Sequence, residues 1–199
     1  MPDTIFEIKA LLGGVAVVLS LVAFIPYIRS ILRGQTKPHV FSWIIWGLTT
    51  FVIFLAQFSD KGGAGTWSIG LSGAIALFIA LLAFLRRSDV SITRLDWCFF
   101  IAALAAIPLW YMTDNPLSAV IILTTIDILG FLPTVRKAYH KPFEEALPLY
   151  VIVNFRNIIS IAALENYSAT TLLFPVASTA ASLPFIAMVL WRRRALGSQ

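Results

Sequence analysis

Long apolar runs broken by short polar or charged stretches dominate the chain, and their lengths predict helices rather than strands. A hydrocarbon crossing takes about 20 apolar residues as an α-helix. The runs fall at 9–29, 39–58, 67–85, 95–112, 116–136, 147–165 and 169–191, which predicts seven membrane-spanning helices. The first is read as a retained span and not a cleaved signal peptide, since Asp3 and Glu7 precede it and it continues through Pro26 into a basic loop.

Composition strengthens this picture. Of 199 residues, 59% are hydrophobic and 13% charged, about half the charge of an ordinary soluble domain. The same balance excludes disorder, whose signature is low hydrophobicity with high charge. No room is left for a separate soluble domain, so any function belongs to the bundle walls and short loops. The single cysteine, Cys98, allows no internal disulfide, and with His39 and His140 far apart in sequence no metal-ligand spacing exists. No metal or cofactor is expected.

The net charge of +5 is explained by placement. Arg29, Arg33 and Lys37 follow the first run; Arg86, Arg87 and Arg94 the third; Arg136, Lys137 and Lys141 the fifth; Arg192, Arg193 and Arg194 the seventh. Twelve of the fifteen Lys and Arg thus fall on one side, with only Lys9 and Lys61 near the other and Arg156 inside a span. The positive-inside rule puts the amino terminus outside and the carboxyl terminus in the cytoplasm, as an odd span count also requires. A multi-pass protein of the cytoplasmic membrane is expected. Its partners are the lipid bilayer and a small polar solute, with nucleic acid excluded and self-association left open.

Two segments repeat. Phe24-Ile25-Pro26-Tyr27-Ile28-Arg29 and Phe131-Leu132-Pro133-Thr134-Val135-Arg136 share the order Phe, aliphatic, Pro, any, β-branched, Arg, and each precedes a basic loop with Lys-Pro, at Lys37-Pro38 and Lys141-Pro142. The chain therefore divides into a first three-helix repeat at 1–87, a linker helix at 88–114, a second three-helix repeat at 115–194 and a short tail at 195–199. Inversion by the linker makes the repeats parallel. Pro26 and Pro133 each remove a backbone donor near a helix end, which predicts paired hinges.

These features resemble the PQ-loop and SWEET superfamily, in which three-helix repeats are joined by a linker helix with the amino terminus outside. The Gln position of the PQ-loop is held by Tyr27 and Thr134, and Pro26, Pro133 and Pro148 stand where three of four SWEET prolines lie. The resemblance implies an all-α membrane carrier working by alternating access. Nicotinamide riboside carriers of the Pnu type share the plan, so the solute could be a sugar, vitamin, nucleoside or amino acid. The KDEL receptor branch implies an alternative, a receptor or interaction protein that binds in the cavity without transport.

Ionisable groups at bilayer depth cost about 2.5–3.5 kcal/mol and suggest function. Asp127 lies in the middle of the fifth run and Arg156 in the sixth, so an ion pair lining a midplane site is expected. Asn154 and Asn157 share a helical face beside Arg156. Counting from the outer ends of the second and sixth runs sets Trp46 opposite Asn154 and Thr49 opposite Asn157, a ring and amides suited to a polar solute. The candidate binding residues are Asp127, Arg156, Asn154, Asn157, Trp46 and Thr49. Interhelical hydrogen bonding by the same groups is the competing structural role, and a coupling proton on Asp127 is opposed by a neighbouring Arg156.

No enzyme is expected. Gly70-Leu71-Ser72-Gly73 matches a rhomboid-protease motif, but the histidines sit at helix boundaries where neither could activate the serine, and small residues for close packing explain it. A retinal protein would need a lysine in the seventh run, and none is there.

Overall fold

In the computed structural model an α-helix falls on each apolar run: α1 Pro2–Leu32, α2 Val40–Ser59, α3 Trp67–Leu85, α4 Arg94–Thr113, α5 Pro116–His140, α6 Leu147–Ala162 and α7 Ala169–Gly197. The structure describes residues 2–35, 38, 40–86, 94–140, 142–144 and 147–197. Lys37, His39, Arg87 and Lys141 lie outside the described residues, as do the side chains of Asp3, Pro133, Arg136 and Lys137. Among the described residues there is no strand.

The segments Thr4–Leu32, Val40–Ser59, Gly63–Leu85 and Ala169–Gly197 are long and apolar enough to cross a membrane, and Trp97–Thr113, Pro116–Leu132 and Leu147–Ala162 are shorter apolar helices. The outward surface carries large apolar side chains, among them Leu11, Ile101, Phe84 and Phe155, each 60% or more exposed. Such a surface is costly in water and suits lipid. Polar groups are instead kept inside: Ser20, Thr49, Gln57, Ser68, Asn154, Arg156, Asn157 and Ser160 are all buried. Among the described residues the chain is all-helical, with apolar helices suited to a membrane.

Helix starts follow from capping chemistry. Asn115 precedes Pro116, and its side chain accepts the Leu117 N–H at 3.0 Å. Ser168 and Thr171 cap α7 reciprocally: Ser168 Oγ accepts the Thr171 N–H at 3.2 Å and Thr171 Oγ1 accepts the Ser168 N–H at 3.0 Å.

α3 packs against both α1 and α2, and α7 against both α5 and α6; α1 also meets α6, α2 meets α5, and α4 lies on α5 and α2. The α2–α3 contact explains the small-residue motif. A Cβ on Gly70 would come within 2.8 Å of the Phe54 ring, and one on Gly73 within 2.8 Å of the Phe51 backbone nitrogen. Both glycines let the helices approach closely.

Candidate functional site

Five helices leave a cavity of about 190 Å³ where they meet. By liquid density that is space for about six waters, or a compact organic solute. Its walls are Phe24 of α1, Trp46 of α2, Asp127, Ile128 and Phe131 of α5, Leu149, Tyr150 and Val153 of α6, and Ser178, Ala181 and Ser182 of α7. Trp46, Leu149, Tyr150 and Val153 belong to the first halves of α2 and α6, so the cavity is displaced toward the end of the bundle where 33–39 and 141–146 connect helices. On that side Phe131, Tyr150 and Phe185 pack tilted to edge-on with centroids 4.7–5.9 Å apart, and Trp46, Trp43 and Tyr27 form a second aromatic chain at 5.6 and 5.2 Å.

Asp127 is half-buried and faces this cavity, and among the described residues its carboxylate has neither a hydrogen bond nor an ion pair. The expected partner is elsewhere. Arg156 is buried and donates from Nη1 to Ser72 Oγ at 3.2 Å and to the Ser68 carbonyl at 3.4 Å, while its Nε–H has no partner. The expected Asp127–Arg156 ion pair is therefore not formed. Its physical reason is that the α5 and α6 backbones each pack against α7 and approach each other through the Phe131 and Tyr150 rings, while Arg156 projects to the side of α6 that faces α3.

Of the other expected residues, Trp46 lines the cavity and Asn154 stands one bond behind it: Ser182 Oγ donates to Asn154 Oδ1 at 2.8 Å, and Asn154 Nδ2 donates to the Tyr150 carbonyl at 2.9 Å. Asn157 donates to Thr179 Oγ1 at 3.2 Å, and its Oδ1 is buried without a partner. Thr49 is buried and donates to the Trp46 carbonyl at 3.1 Å. Neither lines the cavity. α1 runs on through Pro26 to Leu32, and α5 spans position 133 to reach His140.

The opposite end is closed by hydrogen bonds between the α2–α3 and α6–α7 connections. Asn166 Nδ2 donates to the Asp60 carbonyl at 2.8 Å, the Glu165 N–H to the Gly62 carbonyl at 3.1 Å, and the Ala64 N–H to Glu165 Oε1 at 3.4 Å. Ser168 Oγ donates to Asp60 Oδ2, Gln57 Nε2 to the Thr171 carbonyl at 2.9 Å, and Lys9 Nζ to the Leu164 carbonyl at 2.6 Å. Below this seal the Ser68 and Ser160 hydroxyls bond at 2.6 Å. Gly63 makes the interlock possible: its φ of +63° strains a residue that carries a Cβ, and a Cβ there would strike the Glu165 carboxyl.

Sequence reasoning missed most of the walls. Phe24 and Phe131 had a signal, for they open the two repeated segments, but a shared order along the chain does not say which of its residues face a cavity. Tyr150, Ser178 and Ser182 had none, being ordinary residues of apolar helices. Among the described residues no cluster of His, Cys, Asp and Glu could hold a metal. Searches against protein-family models, curated proteins and solved structures found no match to the chain.

Proposed function

We propose that the chain is a seven-span carrier for a small solute, built as two parallel three-helix repeats joined by α4 and working by alternating access. The observation that carries this reading is one cavity shared by both halves, with Phe24 and Phe131 from equivalent positions in its wall and, in the same wall, a carboxylate unpaired among the described residues. Helix adjacency supports the repeat: α3 is to α1 and α2 what α7 is to α5 and α6, and the cross-contacts α1–α6 and α2–α5 are the pair a two-fold axis would exchange. Support for alternation comes from the asymmetry along the bundle, a cavity toward one end and a hydrogen-bonded seal at the other. In the orientation set by the basic residues the seal faces outside and the cavity lies toward the cytoplasm. Pro26 and Pro133 are the positions at which the halves flex.

Uptake by the purified protein in proteoliposomes tests this directly. A panel of labelled sugars, amino acids, nucleosides and vitamins should contain at least one solute taken up saturably, with uptake abolished in Asp127→Asn although that variant elutes as a folded protein in detergent. Saturable binding without flux would instead identify a cavity-binding receptor. Tags at the termini should report opposite sides of the membrane.

A further inference from the structure

The chemistry of the cavity narrows the solute. Of its lining residues Asp127 alone carries a charge, and no Lys, Arg or His stands among them. Arg156, the basic residue expected to neutralise it, donates instead from Nη1 to Ser68 and Ser72 of α3. A carboxylate at bilayer depth without a counter-charge is expensive to maintain. Around it stand the rings of Phe24, Trp46, Phe131 and Tyr150, with Ile128, Leu149, Val153 and Ala181 filling the gaps. Hydroxyls come only from Tyr150, Ser178 and Ser182, and that of Ser182 is donated to Asn154.

Such walls suit some solutes and reject others. A sugar presents hydroxyls on every side and would leave most of them without partners against the apolar walls. An anion would meet an uncompensated carboxylate. A cation with an apolar body satisfies both features, pairing its charge with Asp127 and lying against aromatic faces whose quadrupoles attract positive charge.

We propose that the cavity binds a compact organic monocation, an ammonium or iminium nitrogen on an apolar body, with the Asp127 carboxylate as counter-charge and the four rings as walls. This deepens the carrier reading and rests on it for the transport step, though the binding itself does not require flux. The Trp46 indole N–H makes no hydrogen bond among the described residues and is available to a polar substituent on the solute.

Calorimetry on the purified full-length protein in nanodiscs tests the cation directly. The probes are choline and 3,3-dimethylbutan-1-ol, which has the same shape with carbon in place of the charged nitrogen. Choline should bind roughly thirtyfold tighter than the alcohol, Asp127→Asn should bring the ratio near one, and Asp127→Glu should keep a clear preference for choline. Equal affinities for the two probes, or no choline binding, would overturn the inference; this wild-type comparison decides even if Asp127→Asn does not fold. Undiminished choline binding by a folded Asp127→Asn protein would overturn it too. Loss of proton dependence alone in that variant, with neutral solutes still taken up, would make Asp127 a proton carrier and equally overturn it. Selective choline binding without flux in proteoliposomes would remove the carrier reading and leave the cation site standing, whereas saturable uptake of neutral solutes without cation preference would do the reverse.

Discussion

Replacing Gly63 with alanine should open the sealed end of the bundle. Gly63 holds φ at +63° in the α2–α3 connection, where an L-residue pays about 1–2 kcal/mol. The added Cβ also displaces the Glu165 carboxyl, which accepts the Ala64 N–H, a bond worth about 0.5–1.5 kcal/mol net. Both terms act only while the two connections interlock, because a separated turn relaxes its backbone and frees Glu165. The closed state is therefore destabilised by about 1.5–3.5 kcal/mol relative to the open one, a shift of roughly ten- to three-hundredfold in their ratio. Ser160 is a suitable reporter, being buried just below the seal and bonded to Ser68. With the single cysteine replaced as Cys98→Ser, a Ser160→Cys reporter should react slowly with a membrane-impermeant maleimide added from outside, and faster by about that factor once Gly63→Ala is introduced. Gly14→Ala is the control, since nothing lies within 4 Å of the Cβ it adds. An unchanged labelling rate in Gly63→Ala, accompanied by a lower melting temperature, would show that the connections are static packing and not a gate.

Three further substitutions separate structural from site roles. Arg156→Met should leave thermal stability in detergent unchanged or raised and cation binding intact, since a buried guanidinium with an unpartnered Nε and no carboxylate gains little over a well-packed apolar chain; a loss above about 2 kcal/mol would mean its bonds to α3 outweigh its desolvation. Ser182→Ala should cost about 1–3 kcal/mol because Asn154 Oδ1 loses its donor, whereas Ser178→Ala, which removes a hydroxyl with no hydrogen bond among the described residues, should stay within about 0.5 kcal/mol in the same unfolding measurement.

Helix positions were legible wherever a local signal sets them. Trp67–Leu85 agrees with the expected third run at both ends, and α5, α6 and α7 begin at the expected 116, 147 and 169. Carboxyl ends were less so. α1, α5 and α7 continue to Leu32, His140 and Gly197, past the arginines read as span boundaries, because basic residues are good helix formers that complement the negative end of the dipole. α6 stops at Ala162 instead of 165 for a tertiary reason: the Glu165 N–H donates to Gly62 across the bundle and not up its own helix. The start of α1 at Pro2 was hidden by Glu7 and Lys9, polar residues that a hydropathy reading assigns to a loop but that a helix end accommodates, with Lys9 reaching the Leu164 carbonyl.

The site shows where linear reasoning stops. Consecutive antiparallel helices usually touch, and on that ground Asp127 and Arg156 should meet; α5 and α6 touch through Phe131 and Tyr150, but Arg156 leaves α6 on the side of α3, so each charge has a different neighbourhood. The difference alters the chemistry. A paired Asp127 would make the cavity electroneutral and leave selection to hydrogen bonding, as the asparagines and Trp46 suggested. With Arg156 committed to α3, the carboxylate is the cavity's only charge, and Asn154 sits behind Ser182, supporting the wall. The repeated Phe-x-Pro segments then acquire a second meaning. Their prolines lie two residues beyond phenylalanines that both line the cavity, so flexing at Pro26 or Pro133 would move an aromatic wall, coupling the shape of a cation site to the movement of the two halves.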